Sequence, residues 1–205
     1  MQQNNISITG VILAGGRSRR MDGNDKGLLP LNGRSMIEYV LDAITPQVDE
    51  VLINANRNLA SYQVYGHPVI TDKIADFAGP LAGMAAAIQA CDSDYILSVP
   101  CDGPWIPKDL VARLLSQLNK EGANISTAHD GQRLQPVFAL IRRELLPAIL
   151  TYLESGERRL GYWVQQQQPA LTDFSDQPEA FFNVNSPAEL EAAEARLNKP
   201  SRIKS

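Results

Sequence analysis

Short apolar runs alternate with amphipathic stretches along the first half of the chain. The apolar runs predict strands at Ile6–Leu13, Val51–Ile53, Pro68–Thr71 and Tyr95–Val99. Apolar residues at helical spacing between these runs predict helices at Ser35–Ile44, Asn58–Tyr65, Pro80–Ala90 and Lys108–Leu118. Strands that alternate with helices in this order indicate a parallel sheet with helices on both faces.

The pattern loosens after Asn124. It then predicts strands at Ile125–His129, Pro136–Ile141 and Phe181–Val184. Helices are predicted near Glu144–Glu154, at Leu160–Gln167 and from a capping box at Ser186 to Leu197. We expect one domain over residues 1–197 and a disordered tail over residues 198–205.

Glycine or polar residues lie just beyond the carboxyl ends of four of the predicted strands. They are Gly15–Gly16, Asn54, Asp72 and Asp102. In open α/β sheets, ligands bind outside the carboxyl ends of the strands. The sequence therefore predicts one binding crevice built from four distant segments.

Composition narrows the class of ligand. The 205 residues are 44% hydrophobic and carry a net charge of -4, which argues against an electrostatic nucleic-acid binder. The two cysteines lack CxxC spacing and favour a reducing, cytoplasmic location. The N-terminal segment has no basic start typical of a signal peptide, and no apolar run has the length of a membrane span.

Positive charge is nevertheless concentrated in one loop. Residues 14–27 carry three arginines, Arg20 among them, and Lys26 against two acidic residues. Gly15 and Gly16 let backbone N–H groups approach a ligand, and N–H groups beside cations bind phosphate. A plain glycine turn with solvated arginines would leave this charge without a counter-anion. The glycine spacing fits neither a dinucleotide-binding fingerprint nor a P-loop.

Several segments together resemble the molybdenum cofactor guanylyltransferases. The opening signature of that family resembles Leu13-Ala14-Gly15-Gly16, then Arg20, then Asp25-Lys26-Gly27. Its later motifs resemble Asn54–Arg57, Gly79–Gly83, Pro100–Asp102, Gly156–Arg159 and Asn183–Asn185. The resemblance covers nearly the whole chain. It implies a three-layer α/β/α, Rossmann-like nucleotidyltransferase fold with a mostly parallel sheet and one antiparallel strand.

The resemblance also implies a reaction. GMP would pass from GTP to the terminal phosphate of Mo-molybdopterin, with release of pyrophosphate. Catalytic roles fall to Arg20, Lys26 and Asp102, with Asp102 holding Mg²⁺, a cation that prefers oxygen ligands. The expected contacts with GTP are the backbone of Leu13, the backbone N–H groups of Ala14, Gly15 and Gly16, and the side chains of Lys26, Asn54, Asp72 and Asp102. Asp72 is the predicted reader of the guanine base.

The pterin substrate is expected in the second half of the chain. Asn183 and Asn185 alternate on a predicted strand, so that both side chains face one way. From the residues alone they would serve the helix cap at Ser186, and Arg158 and Arg159 would be surface charges. The resemblance favours all four as molybdopterin contacts.

Three other functions stay open at this point. The first is a cytidylyl-transferring relative, which a comparison of GTP and CTP binding would distinguish. The second is a nucleotide-sensing module without turnover, which a pyrophosphate-release assay would distinguish. The third is a dinucleotide-dependent oxidoreductase, which would bind NADH. We expect a monomer that binds neither nucleic acid nor membrane. Other molybdenum cofactor biosynthesis proteins and molybdoenzyme chaperones are candidate partners.

Overall fold

A computed structural model describes residues 6–15, 25–73 and 79–198. Its strands are β1 (Ile8–Leu13), β2 (Pro30–Leu31), β3 (Arg34–Ser35), β4 (Glu50–Asn54), β5 (Val69–Ile70), β6 (Tyr95–Pro100), β7 (Ile125–His129), β8 (Leu134–Arg142) and β9 (Ala170–Asp173). Its α-helices are α1 (Met36–Ile44), α2 (Leu59–Gln63), α3 (Pro80–Ala90), α4 (Leu110–Glu121), α5 (Leu146–Glu154), α6 (Leu160–Gln166) and α7 (Pro187–Leu197). Most of the predicted elements are therefore present, with ends shifted by a few residues.

One sheet organises the fold. In the part of the chain that the structure describes, seven strands pair in the order β5-β4-β1-β6-β8-β7-β9. β1 is parallel to β4 and β6, β4 is parallel to β5, and β7 is parallel to β9. β8 runs antiparallel to both of its neighbours. The predicted mostly parallel sheet with one antiparallel strand is confirmed.

Helices cover both faces of this sheet. On one face, residues such as Ile12 and Leu97 pack with α1, α2 and α4. On the other face, Val11 and Ile96 pack with α3, α5 and α6. Successive side chains of a strand point to opposite faces, so continuous apolar strands suit a sheet buried on both sides. The three-layer α/β/α architecture follows.

A smaller cluster joins the last helix to the beginning of the chain. α7 begins after Ser186, whose hydroxyl accepts the N–H of Glu189 as the capping box predicts. Leu31, Val184 and Ala193 pack together beneath the β2–β3 hairpin and α1. This packing brings the segment before α7 beside the residues that follow the glycine loop.

One prediction about the second half was wrong, and one strand was missed. Phe181–Val184 is not a strand: Pro178–Phe181 forms a 3-10 turn, and the chain then runs outside the sheet. The aromatic ring of Phe181 packs edge-on against Phe138, with ring centroids 4.9 Å apart. Its apolar character thus serves core packing and not strand pairing. The strand that pairs with β7 at the edge of the sheet is β9, which follows Pro169 and was not predicted.

The two ends of the chain lie mostly outside the described residues. Asn198 is the C-cap residue of α7, and the rest of the predicted tail falls beyond the described range. Among the residues that the structure describes, no helix has both the length and the apolar character needed to cross a membrane.

Candidate active site

The carboxyl ends of three parallel strands meet at one edge of the sheet. The Ala14 N–H donates to the Asn54 carbonyl at 2.8 Å, and the Cys101 N–H donates to the Leu13 carbonyl at 3.2 Å. The chain passes from β1 to β4 and β5, then returns to β6 on the other side of β1. The gap between β1 and β6 is therefore a topological switch point, where open α/β sheets bind their ligands.

The start of the glycine loop departs from its predicted role at one position. The Ala14 N–H extends the sheet to Asn54, so it is not directed at a triphosphate as predicted. Gly15 is the first loop residue beyond that bond. A Cβ at Gly15 would lie 2.7 Å from Nδ2 of Asn56, so only glycine lets the loop pass this close. Gly16 and Arg20 lie outside the described residues.

Two distant segments contact the ammonium group of Lys26. Its Nζ donates to Oδ2 of Asp102 at 2.9 Å and also to Oδ1 of Asn185. The side chains of Lys26 and Asp102 are 21% and 13% exposed, so the pair borders solvent while much of it is shielded. Because both side chains are partly exposed, a charged ligand can reach the pair from solvent. The structure thus brings Lys26, Asp102 and Asn185 together at the predicted edge of the sheet.

Asn183 also lies near Asp102, because the next residue in the chain bonds the Asp102 backbone. The Val184 N–H donates to the Asp102 carbonyl at 2.9 Å, which binds this segment to the end of β6. Oδ1 of Asn183 is buried without a hydrogen-bond partner among the described residues. A Cβ at Gly103 would lie 3.1 Å from that oxygen. Asn183 and Asn185 thus reach the site from an irregular segment and not from the predicted strand.

An unpartnered buried oxygen in a segment bonded to the Asp102 backbone suits an oxygen-binding cation. Burying a polar atom without a partner costs free energy, so such an atom indicates a ligand that completes it. Oxygen atoms of Asp102, Asn183 and Asn185 are the donor type that Mg²⁺ takes, with phosphates and waters completing the shell. Within the described ranges, no three His, Cys, Asp or Glu side chains form a group able to hold a metal. The residues present therefore fit a cation held jointly with a phosphate ligand.

A second polar cluster lies at the ends of β4 and β5. Nδ2 of Asn54 donates to Oδ1 of Asp72 at 2.9 Å, and Nδ2 of Asn56 donates to Oδ2 at 2.7 Å. The Asp72 N–H donates back to Oδ1 of Asn56 at 2.9 Å. Asn54 is buried, and a Cβ at Gly83 would lie 2.4 Å from its Oδ1. Buried Asn54 therefore holds one oxygen of the Asp72 carboxylate, and Asp72 itself is half-buried.

Sequence reasoning did not assign a role to Asn56. It lies inside a segment already matched to the family, but its part in orienting Asp72 depends on a contact across sixteen residues. An Asn-x-Asn spacing is too common to indicate such a contact. Only the pairing of β4 with β5 brings the two residues together.

The predicted arginines lie near the amino end of α3. Gly79 precedes α3 with φ +78°, and a Cβ there would lie 3.7 Å from the Arg158 carbonyl oxygen. The guanidinium group of Arg158 donates to the Leu153 carbonyl at 2.6 Å, at the end of α5. Arg159 pairs with Glu157 at 3.3 Å and is largely exposed. The backbone of this segment therefore reaches the site edge, while both guanidinium groups are engaged locally.

Cys101 immediately precedes the aspartate but is not a nucleophile. Burial raises the pKa of its thiol well above the ordinary value, so the thiol stays protonated. Its Sγ packs at the back of Gly27. This agrees with the expectation that Cys101 is a small apolar core residue.

A glycine loop, a lysine and an aspartate at the switch point of a parallel sheet define a nucleotide-handling α/β enzyme. The family model of the MobA-like NTP transferase domain matches residues 10–170. The chain belongs to this family, and it is a nucleotidyltransferase.

Close relatives carry a consistent description. A molybdenum cofactor guanylyltransferase of Shewanella sediminis is 47% identical over 194 residues, which cover 95% of this chain and 99% of that protein. A protein of the same description from Shewanella piezotolerans is 46% identical over 97% of this chain and 98% of its own. The resemblance stated from the motifs is confirmed over nearly the full length.

Solved structures support the fold. Molybdopterin-guanine dinucleotide biosynthesis protein A from Archaeoglobus fulgidus has a TM-score of 0.76 at 19% identity, covering 94% of this chain and all of that chain. A nucleotidyl transferase from Methanothermobacter has a TM-score of 0.72 at 21% identity, covering 93% of this chain and 97% of that chain. The α/β/α nucleotidyltransferase fold is therefore shared at low sequence identity.

Proposed function

We propose that this enzyme transfers GMP from GTP to the terminal phosphate of Mo-molybdopterin, releasing pyrophosphate and forming a guanine dinucleotide cofactor. The observation that supports it most is the contact of Lys26 with Asp102 and Asn185. This contact joins segments 76 and 159 residues apart at the switch point. The name and full-length similarity of the Shewanella relatives support the choice of substrates.

The chemistry needs charge and positioning more than proton removal. A terminal phosphate oxygen of the pterin attacks the α-phosphorus of GTP, and the bond from that phosphorus to the β-bridging oxygen breaks. Pyrophosphate leaves with the bonding electrons. Since the nucleophile is already an oxyanion, no strong general base is required. The barrier comes from repulsion between two anions and from charge that builds on the phosphates.

Each described residue of the site has a part in lowering that barrier. The ammonium group of Lys26 exchanges its bond with Asp102 for the phosphates and neutralises the leaving pyrophosphate. The Gly15 backbone lets the triphosphate approach the end of β1, while Arg20 is proposed to add a second cation from the loop. Leu13 is proposed to line the nucleoside end of the site through its backbone.

Mg²⁺ is the proposed cofactor, with Asp102 as its protein ligand. Bound there, it would neutralise charge on the phosphates. The oxygens of Asn183 and Asn185 are available to support the cation or a phosphate beside it. Lys26 bonds only Oδ2 of Asp102, and the movement of Lys26 to the phosphates would leave both carboxylate oxygens available to the cation.

Base recognition is assigned to Asp72. Asn54 and Asn56 each donate to one of its oxygens, which fixes the plane of the carboxylate. A carboxylate accepts hydrogen bonds from the N1–H and N2 amino groups of guanine, and cytosine has no matching donor pair. Arg158 and Arg159 are proposed to approach the pterin end, which requires their local bonds to open.

The decisive experiment supplies the full reaction. The purified chain, GTP, Mg²⁺ and molybdopterin are incubated, and the products are analysed by mass spectrometry. We expect the guanine dinucleotide and pyrophosphate in equal amounts, with little product when CTP replaces GTP. A cytosine dinucleotide alone would favour the cytidylyl-transferring relative, and nucleotide binding without pyrophosphate would favour a sensing module. The single domain, monomeric state, cytoplasmic location and protein partners stay predictions.

A further inference from the structure

A buried carboxylate immediately precedes Lys26. Asp25 is 7% exposed and occupies the N-cap position of the 3-10 turn Lys26–Leu28. An aspartate at such a position ordinarily accepts N–H groups from the turn that follows. The side chain of Asp25 makes no such bond and is directed instead toward α2. A buried charge that does not cap its own turn needs another explanation.

Side chains from the segment after β4 surround this carboxylate. The Tyr62 hydroxyl donates to Oδ1 of Asp25, and Nδ2 of Asn58 donates to Oδ2 at 3.2 Å. Nε of Arg57 lies 3.6 Å from the same Oδ2. Tyr62 is fully buried, and burial is the main cause that raises the pKa of its hydroxyl. The hydroxyl therefore keeps its proton and remains a donor to Asp25.

Gly27 completes the contact on the other side of Lys26. A Cβ at Gly27 would lie 2.7 Å from the Tyr62 hydroxyl oxygen and 3.3 Å from Sγ of Cys101. Residues 25–27 are thus pressed between α2 and the end of β6. The three residues of the Asp-Lys-Gly triplet differ in what they do. The aspartate anchors the segment, the lysine carries charge, and the glycine permits the close approach.

We propose that Asp25 is a positioning residue, which acts by fixing the backbone of Lys26 through its bonds with Tyr62 and Asn58. This inference rests on the role proposed above for Lys26. A lysine side chain is long and flexible, so the position of its charge depends on the backbone that carries it. A displacement of about 1 Å at a reacting centre costs about 10²-fold in rate.

The test removes the Tyr62 hydroxyl and measures whether the resulting change in kcat requires Lys26. We expect Tyr62→Phe to lower kcat for guanylyl transfer about tenfold. In a Lys26→Ala background, the same change should alter kcat less than about twofold, because no lysine is left to position. Asp25→Asn should reproduce both results, since an amide has one acceptor oxygen where the carboxylate has two.

Tyr39→Phe is the matched control. It removes a hydroxyl that donates to the Leu31 carbonyl at 2.8 Å, away from Asp25. It should leave kcat within about twofold in both backgrounds. An equal loss from Tyr62→Phe with and without Lys26 would overturn the inference and leave Asp25 a purely structural residue. No loss in either background would overturn it too.

A second measurement does not depend on the identity of the substrates. Lysines are methylated with ¹³C-formaldehyde, and the Lys26 resonance is assigned with Lys26→Arg. We expect this resonance to lie apart from that of exposed Lys120 and to move toward it in Tyr62→Phe. An unmoved resonance would overturn the inference even if guanylyl transfer is found. A moved resonance without guanylyl transfer would sustain the inference and reject the proposed reaction.

Discussion

The two ends of the parallel strands use similar polar residues in different ways. At the amino end, Oδ2 of Asp49 accepts the Ile8 N–H at 2.8 Å, and Oδ2 of Asp94 accepts both the N–H and the hydroxyl of Ser7 at 2.9 Å. At the carboxyl end, the carboxylate of Asp102 bonds a lysine side chain. At the amino end a carboxylate thus bonds backbone N–H groups, and at the carboxyl end a carboxylate bonds another charged side chain.

The difference distinguishes structural carboxylates from reactive ones. A carboxylate that accepts backbone N–H groups cannot exchange its partner without breaking local structure. Lys26 and Asp102 can separate without disturbing the sheet, because both reach the contact through side chains. The oxygen of Asn183 that lacks a partner among the described residues lies at the carboxyl end as well. Substitutions at the two ends should therefore affect different properties.

The largest expected effect is at Asp102. Asp102→Ala should lower turnover by about 10³ or more and abolish its dependence on Mg²⁺, because a bound cation contributes several kcal/mol to transition-state stabilisation. Turnover is measured across a Mg²⁺ titration. Asp94→Ala, at the opposite end of the same strand, serves as control and should keep the wild-type response. A retained Mg²⁺ response in Asp102→Ala would place the metal ligand elsewhere.

The second-largest effect on turnover is expected at Lys26. Lys26→Ala is expected to lower kcat by about 10²–10³, the scale for loss of one preorganised charge donor. Pyrophosphate release measures the effect, and Lys120→Ala on the exposed end of α4 is the matched control. A Lys26→Ala rate within about threefold of wild type would contradict the assigned role.

Asp72 should change selectivity more than rate. Asp72→Ala removes the acceptor for guanine and should reduce the ratio of kcat/KM for GTP over CTP by about tenfold or more. The ratio is measured with both nucleotides under the same Mg²⁺ concentration. If it stays at the wild-type value, Asp72 does not read the base, and the Asn54–Asn56–Asp72 cluster is structural, like the amino end.

The smallest effect is expected at Asp94, in stability alone. Hydrogen bonds from Ser7 lower the pKa of Asp94 below its ordinary value of 3.8. The folded state therefore gains stability above pH 3.8, and this gain is lost as the pH falls through the lower folded value. Since Asp94 is exposed, Asp94→Ala should cost only about 0.5 kcal/mol at pH 7. Urea unfolding should show this difference shrinking below pH 3.8, and a difference that persists there would reject the assignment.

Much of the fold could be predicted because it depends on local pattern. Pro80–Ala90 matches α3, and Ile125–His129 matches β7, since apolar spacing and flanking polar residues mark these elements directly. The strand predicted at Phe181–Val184 was wrong because the structure of this segment does not follow from its local pattern. Its apolar residues serve tertiary packing, and the local pattern alone does not distinguish this from strand pairing.

The candidate site likewise has one part that the sequence predicts and another part that depends on tertiary contacts. The glycine loop, Lys26, Asp72 and Asp102 carry recognisable chemistry at recognisable positions after predicted strands. The N–H of Ala14 could not be assigned, because its partner in the sheet is a carbonyl forty residues away. The guanidinium group of Arg158 likewise bonds the end of α5, which no motif indicates.

The sequence by itself determined the alternation of strands and helices in the first half, the family and the residue types of the site, because these depend on spacing and composition. Only the tertiary structure decided which polar groups meet. It brought Asn185 to Lys26, Asn56 to Asp72, and Tyr62 to Asp25. Such contacts depend on the pairing of distant strands and on the packing of helices against them. No local interaction along the chain specifies either.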